Sequence, residues 1–108
     1  MYKKITEKRK ADLSLAAIKF DASSSTITLS GEWSWVAIDE NILTAVSSIK
    51  NQNLLVNGQK IRSLDTAGVY FINRLIDILA KNKNQLKPLL LLPEDQKLFD
   101  LSDQLKQS

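Results

Sequence analysis

One stretch of this 108-residue chain sets side chains where they could act on another molecule: Ser63-Leu64-Asp65-Thr66-Ala67-Gly68. A run with helical apolar spacing, Val69 to Ala80, follows it. Asp65 suits the cap of that helix, because its carboxylate can accept from the free N–H groups of the first turn. Thr66 then falls in that turn, where backbone donors and the helix dipole favour an anion. Gly68 leaves the turn uncovered by a side chain, so its backbone is expected to be open to approach. Capping alone would account for Asp65 and Thr66. The sharper reading adds a docking surface, because the apolar arc of the following helix is wider than one sheet face needs.

Other chemistry is sparse. The chain has no histidine and no cysteine. That removes the commonest general base, the commonest metal ligand, thiolate nucleophiles and disulfides. The acids are scattered. Glu94 and Asp95 are adjacent, but they open a helix, where acids complement the dipole. Gly31, Gly58 and Gly68 are too far apart for a phosphate loop. The expectation is a protein that is not an enzyme and uses no cofactor and no metal.

Length and composition fit one domain with a modest core: 44% hydrophobic and 25% charged residues. The net charge of +3 does not demand a nucleic-acid partner. Residues 1–11 read as a basic, flexible segment with Lys3, Lys4, Lys8, Arg9 and Lys10 against Glu7. The sharper reading of those five residues is contact with an anionic membrane surface. The longest run of large apolar residues is Leu89 to Leu92, far short of the ~20 residues that span a bilayer. The N-terminus lacks an apolar leader core, so a cytoplasmic location is expected.

The elements that must position the site follow from periodicity. Ala16, Ile18 and Phe20 share one face, and Thr26 to Gly31 alternates with Ile27 and Leu29 inward. With the polar loop Asp21-Ala22-Ser23-Ser24-Ser25 between them, these two strands predict a hairpin. Ser34 is a plausible cap for a helix over Val36 to Lys50, with Ile38, Ile42, Ala45, Val46 and Ile49 as its apolar stripe. Trp33 and Trp35 are expected to close over the end of the core. Leu54-Leu55-Val56 predicts a short buried strand ending at an Asn57-Gly58 turn.

In the organising helix, Gly68, Val69, Phe71, Ile72, Leu75, Ile76, Ile78 and Leu79 fall on a broad arc. Tyr70, Asn73, Arg74, Asp77 and Lys81 lie opposite. Lys81 to Lys87 reads as a basic, Asn-rich connector. Leu89 to Leu92, between Pro88 and Pro93, predicts a second buried strand. A final helix enters at Pro93 with Leu98, Leu101 and Leu105 on one face, helped by Phe99. The order β-β-α-β-α-β-α predicts a small mixed α/β sheet with right-handed crossovers.

Leu64-Asp65-Thr66-Ala67-Gly68 resembles the Leu-Asp-Ser/Thr-x-Gly signature of STAS domains, the anti-sigma-factor-antagonist fold. Together with Gly31-Glu32-Trp33, it is closest to the STAS-like domain of lipid-asymmetry-type bacterial ABC transporter permeases. The resemblance covers roughly Asp12 to Leu105, and residues 12–108 are taken as the domain. It implies a four-stranded mixed sheet with an N-terminal hairpin and about three helices mainly on one face.

The resemblance also implies a docking role on the transporter's ATPase subunit. The permease would be joined in cis or in trans, at the cytoplasmic face of the inner membrane. Asp65, Thr66, Gly68, Tyr70, Phe71 and Arg74 would carry the docking, with phospholipid moved by other parts of the machine. In the wider family the hydroxyl after the signature Asp can be phosphorylated, which here would be Thr66. Ala67 stands where sigma-regulating members carry Ser or Thr, and Asn57 where a strand-end Asp is common. Both departures suit the transporter subgroup. The alternatives are a phosphorylation-controlled anti-sigma-factor antagonist, or a small lipid- or nucleotide-binding module using the Trp33/Trp35 region.

Overall fold

The computed structural model describes residues 15–107, with side chains through residue 102. The expected flexibility of residues 1–11 therefore lies outside the described residues, as does the side chain of Leu105. Four strands form one mixed sheet in the order β1-β2-β3-β4. β1 (Ala17–Asp21) and β2 (Thr26–Trp33) pair antiparallel as a hairpin. Ser23 closes its loop by donating from N and Oγ to Asp21 Oδ1 at 3.0 and 2.7 Å. β3 (Asn53–Leu64) runs parallel to β2, and the two-residue β4 (Gln85–Leu86) runs parallel to β3.

β2 alternates in strict period two. Ile27, Leu29, Gly31 and Trp33 are buried, whereas Thr26, Thr28, Ser30 and Glu32 lie on the polar face. Against the buried face pack a 3-10 helix (Glu40–Val46) and helix α1 (Thr66–Lys81). Helix α2 (Pro93–Gln107) packs against α1, and its Phe99 joins the core. α1 buries Gly68, Val69, Ile72, Leu75 and Leu79 at helical spacing.

Several expectations are corrected. Asn57-Gly58 is not a turn. β3 continues through it, and the pairing jumps from Thr28↔Asn57 to Ser30↔Lys60. The jump is a β-bulge, and Asn57 shapes it by accepting the Gln59 N–H at 3.0 Å. Gly58 is buried, and an added Cβ there would meet Leu91 Cδ2 at 2.7 Å.

The segment Val36 to Lys50 forms a short 3-10 helix, not a long α-helix. Within it Leu43 and Val46, which pack inward, lie three apart, which matches a helix of three residues per turn. Its cap is Asp39, which accepts the Asn41 N–H at 2.9 Å, rather than Ser34.

Leu89 to Leu92 is not a regular strand. The segment runs beside β3 through Lys87 N→Leu54 O at 2.9 Å, Leu90 N→Val56 O at 3.1 Å and Gly58 N→Leu90 O at 2.7 Å. The donors to β3 and the residue before it are Gln85 and Lys87, two apart, and then Leu90, three further on, so the regular ladder breaks across Pro88 and leaves only the Asn57↔Leu90 bridge. In α2, Leu101 is exposed and does not share the packed face with Leu98.

Candidate docking site at the β3–α1 junction

Asp65 sits between β3 and α1 and joins three segments. Its Oδ1 accepts the Gly68 N–H at 2.9 Å, which is the expected cap. Its Oδ2 accepts the Trp35 N–H at 3.1 Å, from the loop after β2. Its own N–H donates to the Trp33 carbonyl at 3.2 Å. The carboxylate thus fixes the first turn of α1 against the end of β2.

That same carbonyl explains Gly68. A Cβ at Gly68 would lie 1.9 Å from Trp33 O and 2.7 Å from Leu64 Cδ1. The expectation that Gly68 offers its backbone to another molecule is corrected: its own chain occupies that space. Gly68 is buried, and its service to the site is the close crossing of β2 over α1.

Thr66 is exposed in the first turn, and Tyr70 and Arg74 follow it at intervals of four on the same stripe. Tyr70 is 55% exposed. Arg74 lies over its ring, with Cζ 5.9 Å from the centroid and Nη1 donating to the hydroxyl at 3.2 Å. Phe71 meets Tyr70 edge-on, with centroids 5.5 Å apart and planes at 84°. Phe71 is half-buried and packs against the core, as do Ile76 and Ile78. The wide apolar arc is therefore largely used by the chain itself. What remains presented outward is the Thr66-Tyr70-Arg74 stripe.

The two tryptophans part company. Trp33 is fully buried and donates from Nε1 to Ser30 O at 2.9 Å, closing the core as expected. Trp35 does not close the core and is 79% exposed. It lies on a turn, Ser34 to Ala37, closed by Ala37 N→Ser34 O at 3.0 Å. Sequence reasoning missed this: continued in-out alternation would turn Ser34 outward and Trp35 inward, but β2 ends at Trp33.

A shallow hollow of about 320 Å³ is lined by Lys50, Asn51, Lys81, Asn82 and Lys83. Its lysines cluster at the C-terminal end of α1, where cations complement the dipole. Among the described residues, no group of three or more His, Cys, Asp or Glu side chains could hold a metal ion. No described helix is long and apolar enough to cross a membrane. Comparison of the chain with protein-family models and with curated proteins gave no match.

Proposed function

We propose that this chain is a non-catalytic STAS-like interaction domain that docks on the ATPase subunit of a bacterial phospholipid ABC transporter. It would serve as the accessory or N-terminal domain of the permease, at the cytoplasmic face of the inner membrane. The resemblance carried by Leu64-Asp65-Thr66-Ala67-Gly68 suggests the family. One observation supports the role most: an outward Thr66-Tyr70-Arg74 stripe begins at a helix start held rigid by Asp65. Tyr and Arg are the side chains that most often anchor protein interfaces. Here each partly orders the other before any partner arrives, which lowers the entropy cost of docking.

In this reading Asp65 orders the turn, Thr66 lies at the contact, and Tyr70, Phe71 and Arg74 supply its area. The test is calorimetry with the cognate ATPase subunit of such a transporter, using Thr66→Glu, Phe71→Ala and Arg74→Ala. Each variant should weaken binding; Thr66→Glu and Arg74→Ala, at exposed sites, should keep melting temperatures within a few degrees of wild type, whereas Phe71→Ala should also lower it, because Phe71 packs against the core. If all three bind like wild type while folded, the docking role of this stripe is wrong. Stoichiometric capture of a sigma-regulating kinase instead would favour the partner-switch alternative.

A further inference from the structure

Asn57 is the one asparagine of the chain that precedes a glycine; the others are followed by Ile, Gln, Leu, Arg or Lys. Glycine has no Cβ to hinder its own nitrogen, so this pair has the chemistry for deamidation. The Gly58 nitrogen gives its proton to a base and attacks Asn57 Cγ. The N–Cγ bond forms, the Cγ–Nδ2 bond breaks, and ammonia leaves with a proton returned to it. Water then opens the cyclic imide at either carbonyl and leaves Asp or isoaspartate.

The fold holds both reacting groups. The Gly58 N–H donates to Leu90 O at 2.7 Å, so a base does not reach its proton. Gly58 is buried, and Leu91 lies against it. Asn57 Oδ1 accepts the Gln59 N–H at 3.0 Å, which fixes the amide group. Asn57 is also paired with Thr28 on one side and bridged to Leu90 on the other, which keeps its backbone extended. The cover is the weaker side. Residues 87–92 lie on β3 through a few bonds and no regular ladder, so they open before the sheet does.

We propose that Asn57-Gly58 is a latent modification site: deamidation there is blocked while Leu89 to Leu92 lies along β3, and proceeds when that segment lifts away. Isoaspartate carries the main chain through the former side chain and lengthens it by one methylene. The Gly58–Leu90 bond then cannot re-form in register, so a transient opening becomes a permanent mark. The site is independent of the docking surface proposed above, which uses other side chains.

The test incubates the full chain in mildly alkaline buffer, native or in guanidinium chloride, and reads conversion by peptide mass mapping and by enzymatic methylation of isoaspartate. In denaturant, Asn57 should convert to mixed Asp and isoaspartate ahead of every other asparagine. Gly58→Ala should slow that conversion, a comparison that needs no folding. In the native chain Asn57 should react at least about a hundredfold more slowly, because it must await local opening. That slowing should match the protection of the Gly58 amide against hydrogen exchange, measured on the unmodified chain. Leu91→Ala should speed the native reaction and leave the denatured rate unchanged.

Native conversion at the denatured rate would overturn the proposal, as would another asparagine reacting first in denaturant. A folded Leu91→Ala chain that reacts as slowly as wild type would also overturn it. So would deamidation slowed far beyond the Gly58 exchange protection, which would show that lifting this segment is not the gate.

Discussion

At the scale of single residues, Asp65 does two jobs with two oxygens. Asp65→Ala would lose the Gly68 cap and free the Trp35 N–H together. Denaturant melts should show a loss of about 1–2 kcal/mol, the upper part of the range for a cap. Gly68→Ala should cost more, about 3 kcal/mol or beyond, because the opposing group is the Trp33 backbone and cannot swing away. An equal stability of Gly68→Ala and wild type would show that β2 does not cross so close. Thr66→Glu should stay within about 1 kcal/mol of wild type in the same melts, since the site is exposed and a carboxylate suits a helix N-terminus.

Asp21 gives a pH signature. The Ser23 hydroxyl, then Ser24 and the Ser23 N–H, hold its carboxyl below the usual carboxylate range. A depressed folded value stabilises the protein above the unfolded value and is lost as pH falls through the folded one. Wild type should therefore melt above Asp21→Ala near neutral pH, and the two curves should converge in strong acid. A gap that widens on acidification would contradict this. Asp95 is shifted the other way, raised by its partial burial and then by Glu94 beside it. Its ionised form thus opposes folding above its ordinary value, and the opposition fades on acidification.

At the scale of elements, the joints carry the information. Asn84 is the buried polar side chain among the described residues. Its Nδ2 donates to Ile49 O and Leu79 O, both at 2.8 Å, and its Oδ1 accepts the Gln52 N–H at 3.0 Å. It ties the end of α1 to the entry of β3. Asn84→Ala would strand those backbone groups and should cost about 2–4 kcal/mol by chemical denaturation. In sequence it was one Asn in a basic connector, and nothing local distinguishes a buried amide from a solvated one.

The hairpin, α1 and the mixed sheet were legible because each has a clean period of two or 3.6. The helix over Val36 to Lys50 was not, because its apolar residues satisfy spacings of both three and four. Asn57-Gly58 was misread because a dipeptide that suits a hairpin turn also suits a bulge. Of the candidate site, the Asp65 cap was legible from residue types alone. Gly68 was not, because the group it must avoid, Trp33 O, lies thirty-five positions away. Trp35 was missed because burial of a tryptophan is set by the loop that carries it.

At the scale of the molecule, two exposed surfaces come from different segments. Thr66, Tyr70 and Arg74 face outward along α1, and Trp35 and Val36 project from the turn after β2.

The most direct test of the docking claim is a residue-resolved NMR titration of the 15N-labelled chain with the unlabelled ATPase subunit. The account predicts that amide shifts and broadening centre on Asp65 to Arg74, with the Asp65-bonded Trp35 amide following. Perturbations confined to α2, to the Lys50-Lys81-Lys83 hollow or to the outer face of β1, with Asp65 to Arg74 unmoved, would contradict it.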